Sequence, residues 1–196
     1  MTAAQMPANG VDVSRPGPAQ QAPGPGLNLG LAESNRRQMA AVRLAASLGQ
    51  IVGIMMRAPA HRHTFLSDLE LLVVPAIVSN QFVIHEERHT QTGVKLPVAV
   101  VLWARVSEEV DARLIANPTP RPRLRPEEWT SGSIPWLVEA IGDPQVTARL
   151  LKGLVERRLK PTGLKIFTRE TDGNGTIKTL RVSNNKAPQP TAPAEG

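Results

Sequence analysis

The 196-residue chain has no cysteine and no tyrosine, and it has three tryptophans and three phenylalanines. Without cysteine there is no disulfide framework, no thiolate zinc site and no cysteine nucleophile, which fits a reducing cytoplasm. Proteins that bind nucleic acid by stacking need exposed aromatic rings. The scarcity of aromatic residues therefore argues against a nucleic-acid partner.

A long hydrophobic run is also missing. The longest apolar runs, Leu71 to Val78 and Pro97 to Ala104, are much shorter than the roughly 20 residues that a helix needs to cross a bilayer. The first 34 residues contain one arginine and no lysine, and no apolar segment of the secretory type follows. We therefore predict a cytoplasmic protein with no membrane span.

The chain carries a formal net charge of +6, and hydrophobic residues make up 41% of it. That hydrophobic content is enough for a folded core. The positive charge favours an acidic partner, which by charge alone could be nucleic acid, anionic lipid or an acidic protein.

Composition divides the chain into three parts. Residues 1–34 and 185–196 are rich in proline, glycine and alanine, and such segments bury too little apolar surface to fold. We predict disordered arms at both ends and one folded domain over residues 35–184.

Apolar spacing and capping residues predict the helices of this domain. Ser67 and Glu70 are spaced as a capping box, Ser107 can cap a short helix, and Pro135 and Gly142 bracket another. The predicted helices cover approximately residues 35–57, 67–75, 108–117, 136–141 and 144–159.

The strands are predicted from β-like and continuously apolar runs. Asn80 to Glu86 forms one strand, and the apolar run Leu96 to Ala104 fits a buried central strand. Gly163 to Arg169 and Thr176 to Val182 flank Asp172-Gly-Asn-Gly175, which is a strong hairpin signal. The sum is an α/β or α+β fold, with a mixed sheet of about four or five strands and helices packed against it.

One motif suggests a zinc site. His85-Glu86-Glu87-Arg88-His89 matches H-E-x-x-H, which in metalloproteases places two histidines on one face of a helix. Such a helix needs a buried face, yet Val94 is the single apolar residue between His85 and Lys95. We interpret the stretch as a polar hairpin tip and predict no metal site.

His61 lies in the run Arg57-Ala-Pro-Ala-His-Arg-His, directly after the first helix. Pro59 has no N–H to donate, so a helix through this point is disfavoured. A histidine just past a helix end can face a cleft, where an imidazole can accept or donate a proton near neutral pH. On this feature alone, a surface histidine in a basic loop is the simpler interpretation.

Three later stretches combine with His61. They are Pro75-Ala-Ile-Val-Ser-Asn-Gln-Phe82, Pro97-Val-Ala-Val-Val-Leu-Trp-Ala104, and Arg123 to Gly132 with its continuation Trp136 to Ile141. In this order they resemble the RTX toxin-activating lysine-acyltransferases. The family pattern runs Ser-Pro-x-His-Arg, Leu-Pro-Ala-Ile with Asn-Gln-Phe or Asn-Gln-Tyr, Pro-Val-(apolar)-Trp-Ala, and Glu/Asp-Trp-x-Ser-Gly-Asp. The match covers about residues 48–141.

The resemblance implies that the 35–184 domain is an acyltransferase with a GNAT-like fold, usually dimeric. It implies transfer of a fatty acyl group from acyl carrier protein to internal lysines of an RTX-type protoxin. Acyl–acyl carrier protein is then a co-substrate, and no bound cofactor is expected. By motif position, His61 matches the catalytic histidine, and Glu139 falls where the family has its catalytic Asp.

Other residues of the motifs are candidates for supporting the site. Asn80 and Gln81 either order the site or cap the end of a strand. Ser131 and Gly132 belong to the Trp-x-Ser-Gly motif, and Gly132 suits a backbone turn.

The chemistry of such a transfer requires a base, because a lysine amine is protonated at neutral pH. His61 is the candidate base. Glu139 either orients the imidazole, as the third member of a catalytic triad does, or takes the lysine proton itself. An acyl-histidine intermediate is a third alternative.

The chain departs from the family pattern at three positions. Ala58 replaces the Ser of Ser-Pro-x-His, Ser133 replaces the Asp after Ser-Gly, and Glu139 is one methylene longer than Asp. These changes leave a slower enzyme, an altered specificity or a non-catalytic, partner-binding homologue as alternatives.

The positive charge fits the same interpretation, because acyl carrier protein is acidic and a basic surface would attract it. The candidates are Arg121, Arg123 and Arg125 in the loop of residues 117–128, and Lys152, Arg157 and Arg158 near the end of a predicted helix. A solvated basic surface is the alternative.

Overall fold

The computed structural model describes residues 25–169 and 175–181. The predicted tail 185–196 and residues 1–24 of the predicted arm lie outside the described residues. The helices are α1 (Pro25–Arg57), α2 (Leu66–Leu72), α3 (Val74–Val78), α4 (Glu108–Ala116) and α5 (Pro144–Arg158), with a 3-10 helix η1 (Pro126–Thr130). The strands are β1 (Phe82–Arg88), β2 (Lys95–Val106), β3 (Ile134–Ile141), β4 (Leu164–Arg169) and β5 (Gly175–Leu180).

The chain divides into two compact units, residues 1–40 and 41–196. The described part of the first unit is helical and carries an ion pair between Glu33 and Arg37, one turn apart. Helix α1 begins at Pro25 rather than near Asn35 as predicted. Proline suits the first position of a helix, because its missing N–H would have no helical partner there.

The five strands form one mixed sheet in the order β1-β2-β3-β4-β5. Every neighbouring pair is antiparallel except β3 and β4, which run parallel. The predicted mixed sheet with packed helices is confirmed, and so is the hairpin of β4 and β5. Strand β2 lies between β1 and β3, and its residues from Ala99 to Ala104 are buried, as the continuous apolar run predicted.

The prediction of a helix over residues 136–141 is wrong, because these residues belong to strand β3. Helices cover both faces of the sheet here: Trp136 packs in one apolar cluster and Leu137 in the other. A strand buried on both faces is apolar at most positions and shows no clear alternation. Pro135 therefore lies at the second position of a strand, and Gly142 directly follows the end of that strand.

The core has two layers, one on each face of the sheet. Helices α1 and α2 pack on one face with Val100, Leu102 and Trp136. Helix α5 packs on the other face with Val101 and Trp103. Burial of these apolar side chains is the main contribution to the stability of the fold.

Helix α1 is long and apolar enough, over Gly30–Arg57, to cross a membrane by length and composition alone. The core helix of a soluble protein meets the same test. Ile51, Ile54 and Met55 of α1 are buried in the core, so the C-terminal part of α1 is a core helix. The sequence prediction of no membrane span was based on uninterrupted apolar runs, and it therefore did not consider Gly30–Arg57.

The predicted cap at Ser107 is confirmed, and Asp143 caps the start of α5 in the same way. The Ser107 hydroxyl accepts a hydrogen bond from the Val110 N–H at 3.3 Å, and the Asp143 carboxylate accepts one from the Gln145 N–H at 2.8 Å. The predicted box of Ser67 and Glu70 is wrong. Helix α2 begins at Leu66, and the Asp68 carboxylate accepts from the Phe65 N–H at 3.2 Å.

The H-E-x-x-H stretch lies on strand β1 and in the turn after it. The turn closes where the Gly93 N–H donates to the His89 carbonyl at 2.8 Å, so the predicted hairpin tip is confirmed. In an extended strand, residues four apart are separated by roughly 13 Å. His85 and His89 therefore do not share a helix face.

Candidate active site

His61 lies in a turn that follows α1 directly. Its backbone N–H donates to the Ala58 carbonyl at 2.9 Å, and its carbonyl accepts from the Thr64 N–H at 3.0 Å. The helix ends at Arg57, ahead of Pro59, as the sequence predicted. The side chain is 8% exposed, so the turn holds a buried imidazole rather than a surface histidine.

Glu139 reaches the same region through an irregularity in strand β3. Leu102 pairs with Glu139, but the next residue of β2, Trp103, pairs with Leu137, so Val138 is an extra residue. Paired residues share a face of the sheet, and Leu102 faces the layer that contains α1. The bulge therefore turns Val138 and Glu139 to the same face, where regular alternation would have separated them.

Arg121 joins these two residues. Its Nε donates a hydrogen bond to Glu139 Oε2, and its terminal nitrogen lies 3.0 Å from His61 Nε2. His61 Nε2 is 3.4 Å from Glu139 Oε2. The glutamate side chain is 14% exposed and the arginine side chain 46%, so the cluster is buried on the glutamate side and reaches solvent through the arginine.

The hydrogen-bonding roles follow from the donor inventory. A guanidinium has no acceptor, so His61 Nε2 accepts from Arg121 and the ring proton is on Nδ1. Nδ1 is buried and has no hydrogen-bond partner within the described part of the chain. In a catalytic triad the acid binds the ring nitrogen remote from the substrate. Here Glu139 and Arg121 both face Nε2, so the geometry differs from a triad.

An apolar cavity of about 770 Å³ lies beside this cluster and shares Arg121 with it. Val138, the neighbour of Glu139 on the bulge, is also part of its wall. Its volume falls in the range of about 300–1,000 Å³ that is typical of ligand sites. The apolar part of the wall includes Leu71, Leu72, Pro122, Leu124, Trp129 and Val138.

Asn80 and Gln81 support the backbone around the site. Asn80 has a φ of +55°, a left-handed conformation that asparagine tolerates better than most residues. The Gln81 side-chain amide is buried and donates to the Trp129 carbonyl at 3.1 Å. Gln81 therefore fixes η1, which contributes Trp129 to the cavity wall.

Ser131 and Gly132 fasten the end of η1 to strand β2. The Ser131 hydroxyl accepts from the Ser107 N–H at 2.9 Å and donates to the Glu128 carbonyl at 3.0 Å. A Cβ at Gly132 would lie 2.4 Å from the Val106 carbonyl oxygen, so this close approach requires glycine. Both residues order the backbone, and their described hydrogen bonds do not involve His61 or Glu139.

The three loop arginines predicted to bind a carrier protein have different surroundings. Arg121 is turned toward His61 and Glu139, which loop composition could not reveal. Arg123 is exposed at the cavity wall. Arg125 is exposed, and its backbone N–H donates to Glu128 Oε2 at 2.8 Å.

Glu128 anchors the start of η1 electrostatically. Burial alone would raise the pKa of its carboxyl group, but the Arg125 N–H and the Arg113 guanidinium outweigh burial, and the pKa lies below its ordinary value. Arg113 donates to Glu128 Oε2 at 2.8 Å. The carboxylate is therefore a structural anion at neutral pH.

Two of the departures from the family pattern have simple surroundings. Ala58 packs against the core, and its carbonyl accepts from the His61 N–H, so the turn forms without a hydroxyl at this position. Ser133 is exposed.

Comparison with known proteins shows the family of the chain. The model of the HlyC family, the RTX toxin acyltransferases, matches residues 40–186. The chain is 28% identical over 109 residues to the leukotoxin-activating lysine-acyltransferase LktC of a Pasteurella haemolytica-like species, covering 56% of this chain and 61% of the relative. It is 32% identical over 94 residues to the protein-lysine myristoyltransferase HlyC of Escherichia coli, covering 48% and 50%.

A third relative is the lysine-acyltransferase RtxC of Vibrio cholerae, 29% identical over 107 residues, which cover 53% of this chain and 65% of the relative. The matches thus span between half and two thirds of the length of these three relatives. Because the family model covers most of the sheet domain, including His61, Arg121 and Glu139, the chain belongs to the RTX toxin acyltransferase family.

Proposed function

We propose that the protein is a protein-lysine acyltransferase that moves a fatty acyl chain from acyl carrier protein to internal lysines of an RTX-type protoxin in the cytoplasm. The observation that supports this most strongly is the contact of buried His61 with Glu139 beside an apolar cavity. The relatives named as lysine-acyltransferases support the same reaction class.

In this proposal His61 is the general base. An acceptor ammonium gives one proton to His61 Nε2, and the freed amine attacks the thioester carbonyl carbon. The carbon–sulfur bond then breaks, the amide forms, and the carrier leaves as a thiolate that takes the first proton from the imidazolium. Amide formation also removes a second proton from the nitrogen, and this proton is released to water, so each ammonium yields one amide, one thiol and one proton.

Glu139 acts as an electrostatic partner of the base. Its carboxylate lies 3.4 Å from Nε2, so it stabilises the imidazolium that forms when the proton arrives. The side chain is 14% exposed, and at this burial a charge pair interacts more strongly than in water. This role requires the carboxylate to lie beside Nε2, the nitrogen that accepts the proton, and the Glu139 carboxylate lies beside Nε2.

The donor side of the proposal uses the cavity and the basic loop. The apolar wall of the cavity suits an alkyl chain, while exposed Arg123 and Arg125 suit an acidic carrier. Reversing both arginines to glutamate is expected to weaken carrier binding, with a smaller difference at high salt. Carrier affinity that is unchanged at low salt would remove this part of the proposal.

The homodimer, the GNAT-like classification and the absence of a bound cofactor remain predictions. Sedimentation of the purified chain tests the dimer. The second candidate function is a partner-binding homologue without catalysis. It is favoured by one observation, since Arg121 occupies the hydrogen-bonding face of His61 that a base would use.

The deciding experiment is intact-mass spectrometry of the protein and of a long-chain acyl–acyl carrier protein after mixing. Wild type is expected to consume the thioester or to carry a transient acyl adduct, and His61→Ala is expected to do neither. His63→Ala is the matched control, because His63 is an exposed histidine in the same turn. Thioester loss that is equal in wild type and His61→Ala would contradict the proposal.

A further inference from the structure

Arg121 presents a cation to both proton-accepting groups of the site at once. The Nε of its guanidinium donates to Glu139 Oε2, and the terminal nitrogen donates to His61 Nε2 at 3.0 Å. A protonated lysine side chain carries three N–H donors on one nitrogen. It can satisfy the same two acceptors in the same place.

We propose that the space between His61 Nε2 and Glu139 Oε2 is a binding site for a primary alkylammonium group, and that Arg121 is an internal occupant of it. The acceptor lysine then replaces Arg121 before transfer begins. The link to acyl transfer rests on the proposed function, whereas ammonium binding can be measured without any turnover.

The chemistry explains why an arginine can occupy this site without reacting. A guanidinium keeps its proton under all conditions that the protein meets, so it offers no nucleophilic lone pair. A lysine ammonium in the same position can lose a proton to His61 and become a nucleophile. Arg121 therefore resembles the acceptor in charge and hydrogen bonding and differs from it in reactivity.

The position of Arg121 in the fold suits an occupant that leaves. It lies in the segment between α4 and η1, outside regular secondary structure, and its side chain is 46% exposed. His61 is 8% exposed and the Glu139 side chain 14%, so these two are buried in the fold, and the half-exposed arginine reaches them from the solvent side. An incoming ammonium donates to the same two acceptors, so exchange of one cation for another leaves neither His61 nor Glu139 without a hydrogen-bond partner.

The rival account is that Arg121 is a positioning residue that holds Glu139 in place. The two accounts predict different changes in the affinity for an external ammonium ion when Arg121 is removed. If Arg121 is an occupant, its removal strengthens binding of an external ammonium ion. If it is a positioning residue, its removal weakens or does not affect such binding.

The first experiment titrates n-butylammonium into the full-length chain and follows the imidazole resonances by NMR, with His61→Ala used to assign the His61 signal. Arg121→Ala is expected to bind n-butylammonium at least about tenfold more tightly than wild type. That gain corresponds to removing an occupant that fills the site about nine tenths of the time. Thermal unfolding of each variant reports whether it is folded.

Arg113→Ala is the matched control. Arg113 pairs with Glu128 at 2.8 Å, and its side chain is also 46% exposed. This pair joins α4 to η1. This variant is expected to bind n-butylammonium as wild type does. Equal affinity in wild type and Arg121→Ala, with both folded, would overturn the proposal.

The second experiment uses Arg121→Lys. The Nζ of the introduced lysine takes the place of the guanidinium carbon, one bond from the nitrogens that contact Glu139 and His61. With an acyl–acyl carrier protein, the introduced lysine is expected to become acylated. The thioester carbon–sulfur bond breaks, an amide bond forms on Nζ, and the proton of the amine ends on the carrier thiol. Arg113→Lys is the control and is expected to stay unmodified.

The outcomes separate this inference from the proposed function. Tighter ammonium binding in Arg121→Ala, without thioester consumption by wild type, would support the ammonium site and contradict the proposed acyltransferase function. If the lysine of folded Arg121→Lys stays unmodified while wild type acylates an added lysine peptide, the assignment of this space to the acceptor is overturned.

Discussion

The pairs Arg113–Glu128 and Arg121–Glu139 have the same chemistry and the same exposure, with 46% of the arginine side chain and 14% of the glutamate side chain accessible in each. In the first pair the glutamate also accepts the Arg125 N–H, which begins η1. In the second pair Glu139 Oε1 accepts the Ala140 N–H at 3.3 Å, and Oε2 also lies 3.4 Å from the imidazole Nε2 of His61. The difference between an anchor of the fold and a candidate active site thus lies in the third partner.

The surroundings separate the two pairs in the same way. Glu128 lies in η1, and Ser131 and Gly132 fasten the end of η1 to strand β2. Glu139 lies on a bulge beside an apolar cavity, and the ring nitrogen Nδ1 of its histidine partner has no hydrogen-bond partner among the described residues. Trp129 Nε1 in η1 also lacks a partner among the described residues, so the cavity and the histidine distinguish the second pair, and the unpaired atom does not.

The largest effect is expected from removal of the base. His61→Ala should lower the rate of acyl transfer by about 100-fold to 10,000-fold, the contribution typical of a positioned general base. Carrier binding should persist, because the imidazole is not part of the exposed arginine surface. Single-turnover kinetics with acyl–acyl carrier protein and a lysine peptide checks this, and a loss below about threefold would show that the base is another group.

The next effect tests the length of the acid. Glu139→Asp withdraws the carboxylate by about one bond from His61 Nε2, and a misplacement of ~1 Å can cost ~100-fold in rate. The matched change Glu128→Asp should leave the rate unchanged, because Glu128 has no role in the reaction. Rates that fall equally in both folded variants would erase the distinction between the two pairs.

The third effect concerns the frame near Glu128. Gly132→Ala should destabilise the fold by about 1–3 kcal/mol, because its Cβ would overlap the Val106 carbonyl. Gly49→Ala is the control, since a Cβ there meets nothing within 4 Å on α1 and should stabilise the helix by up to about 1 kcal/mol. Urea unfolding measures both, and a neutral Gly132→Ala would show that the backbone approach is not constrained.

The smallest effect is a pH dependence of stability at Glu128. Its pKa lies below the ordinary value in the fold, so its contribution is present above the ordinary pKa and is lost as the pH falls through the folded pKa. Glu128→Gln should cost about 1 kcal/mol at neutral pH, the size of one cap with an exposed ion pair. The difference from wild type should shrink in acid. Unfolding at several pH values checks this, and a constant difference would contradict it.

Much of the fold could be predicted because local chemistry decides it. Ser107 and Asp143 mark helix starts through hydrogen bonds that their own side chains make, and the β4–β5 hairpin follows from its glycine-rich turn. Strand β3 could not be predicted in this way. Its apolar pattern comes from burial on both faces, which depends on elements distant in sequence.

The candidate site also has features that the sequence could predict and features that it could not. His61 and Glu139 were expected to meet because their motifs resemble those of the family, not because any spacing required it. The bulge at Val138 that turns Glu139 to the right face leaves no mark in a single sequence. Arg121 looked like its neighbours Arg123 and Arg125, and only the path of the loop distinguishes it.

The most direct test compares the Arg121–Glu139 pair with the Arg113–Glu128 pair in one measurement. Wild type, Glu139→Gln and Glu128→Gln are each incubated with acyl–acyl carrier protein and a lysine peptide, and the amide-linked acyl group is located by tandem mass spectrometry. The account predicts acyl-lysine from wild type and Glu128→Gln, and at least about tenfold less from Glu139→Gln. Equal product from folded Glu139→Gln and wild type would contradict the claim that the Arg121–Glu139 pair belongs to the active site.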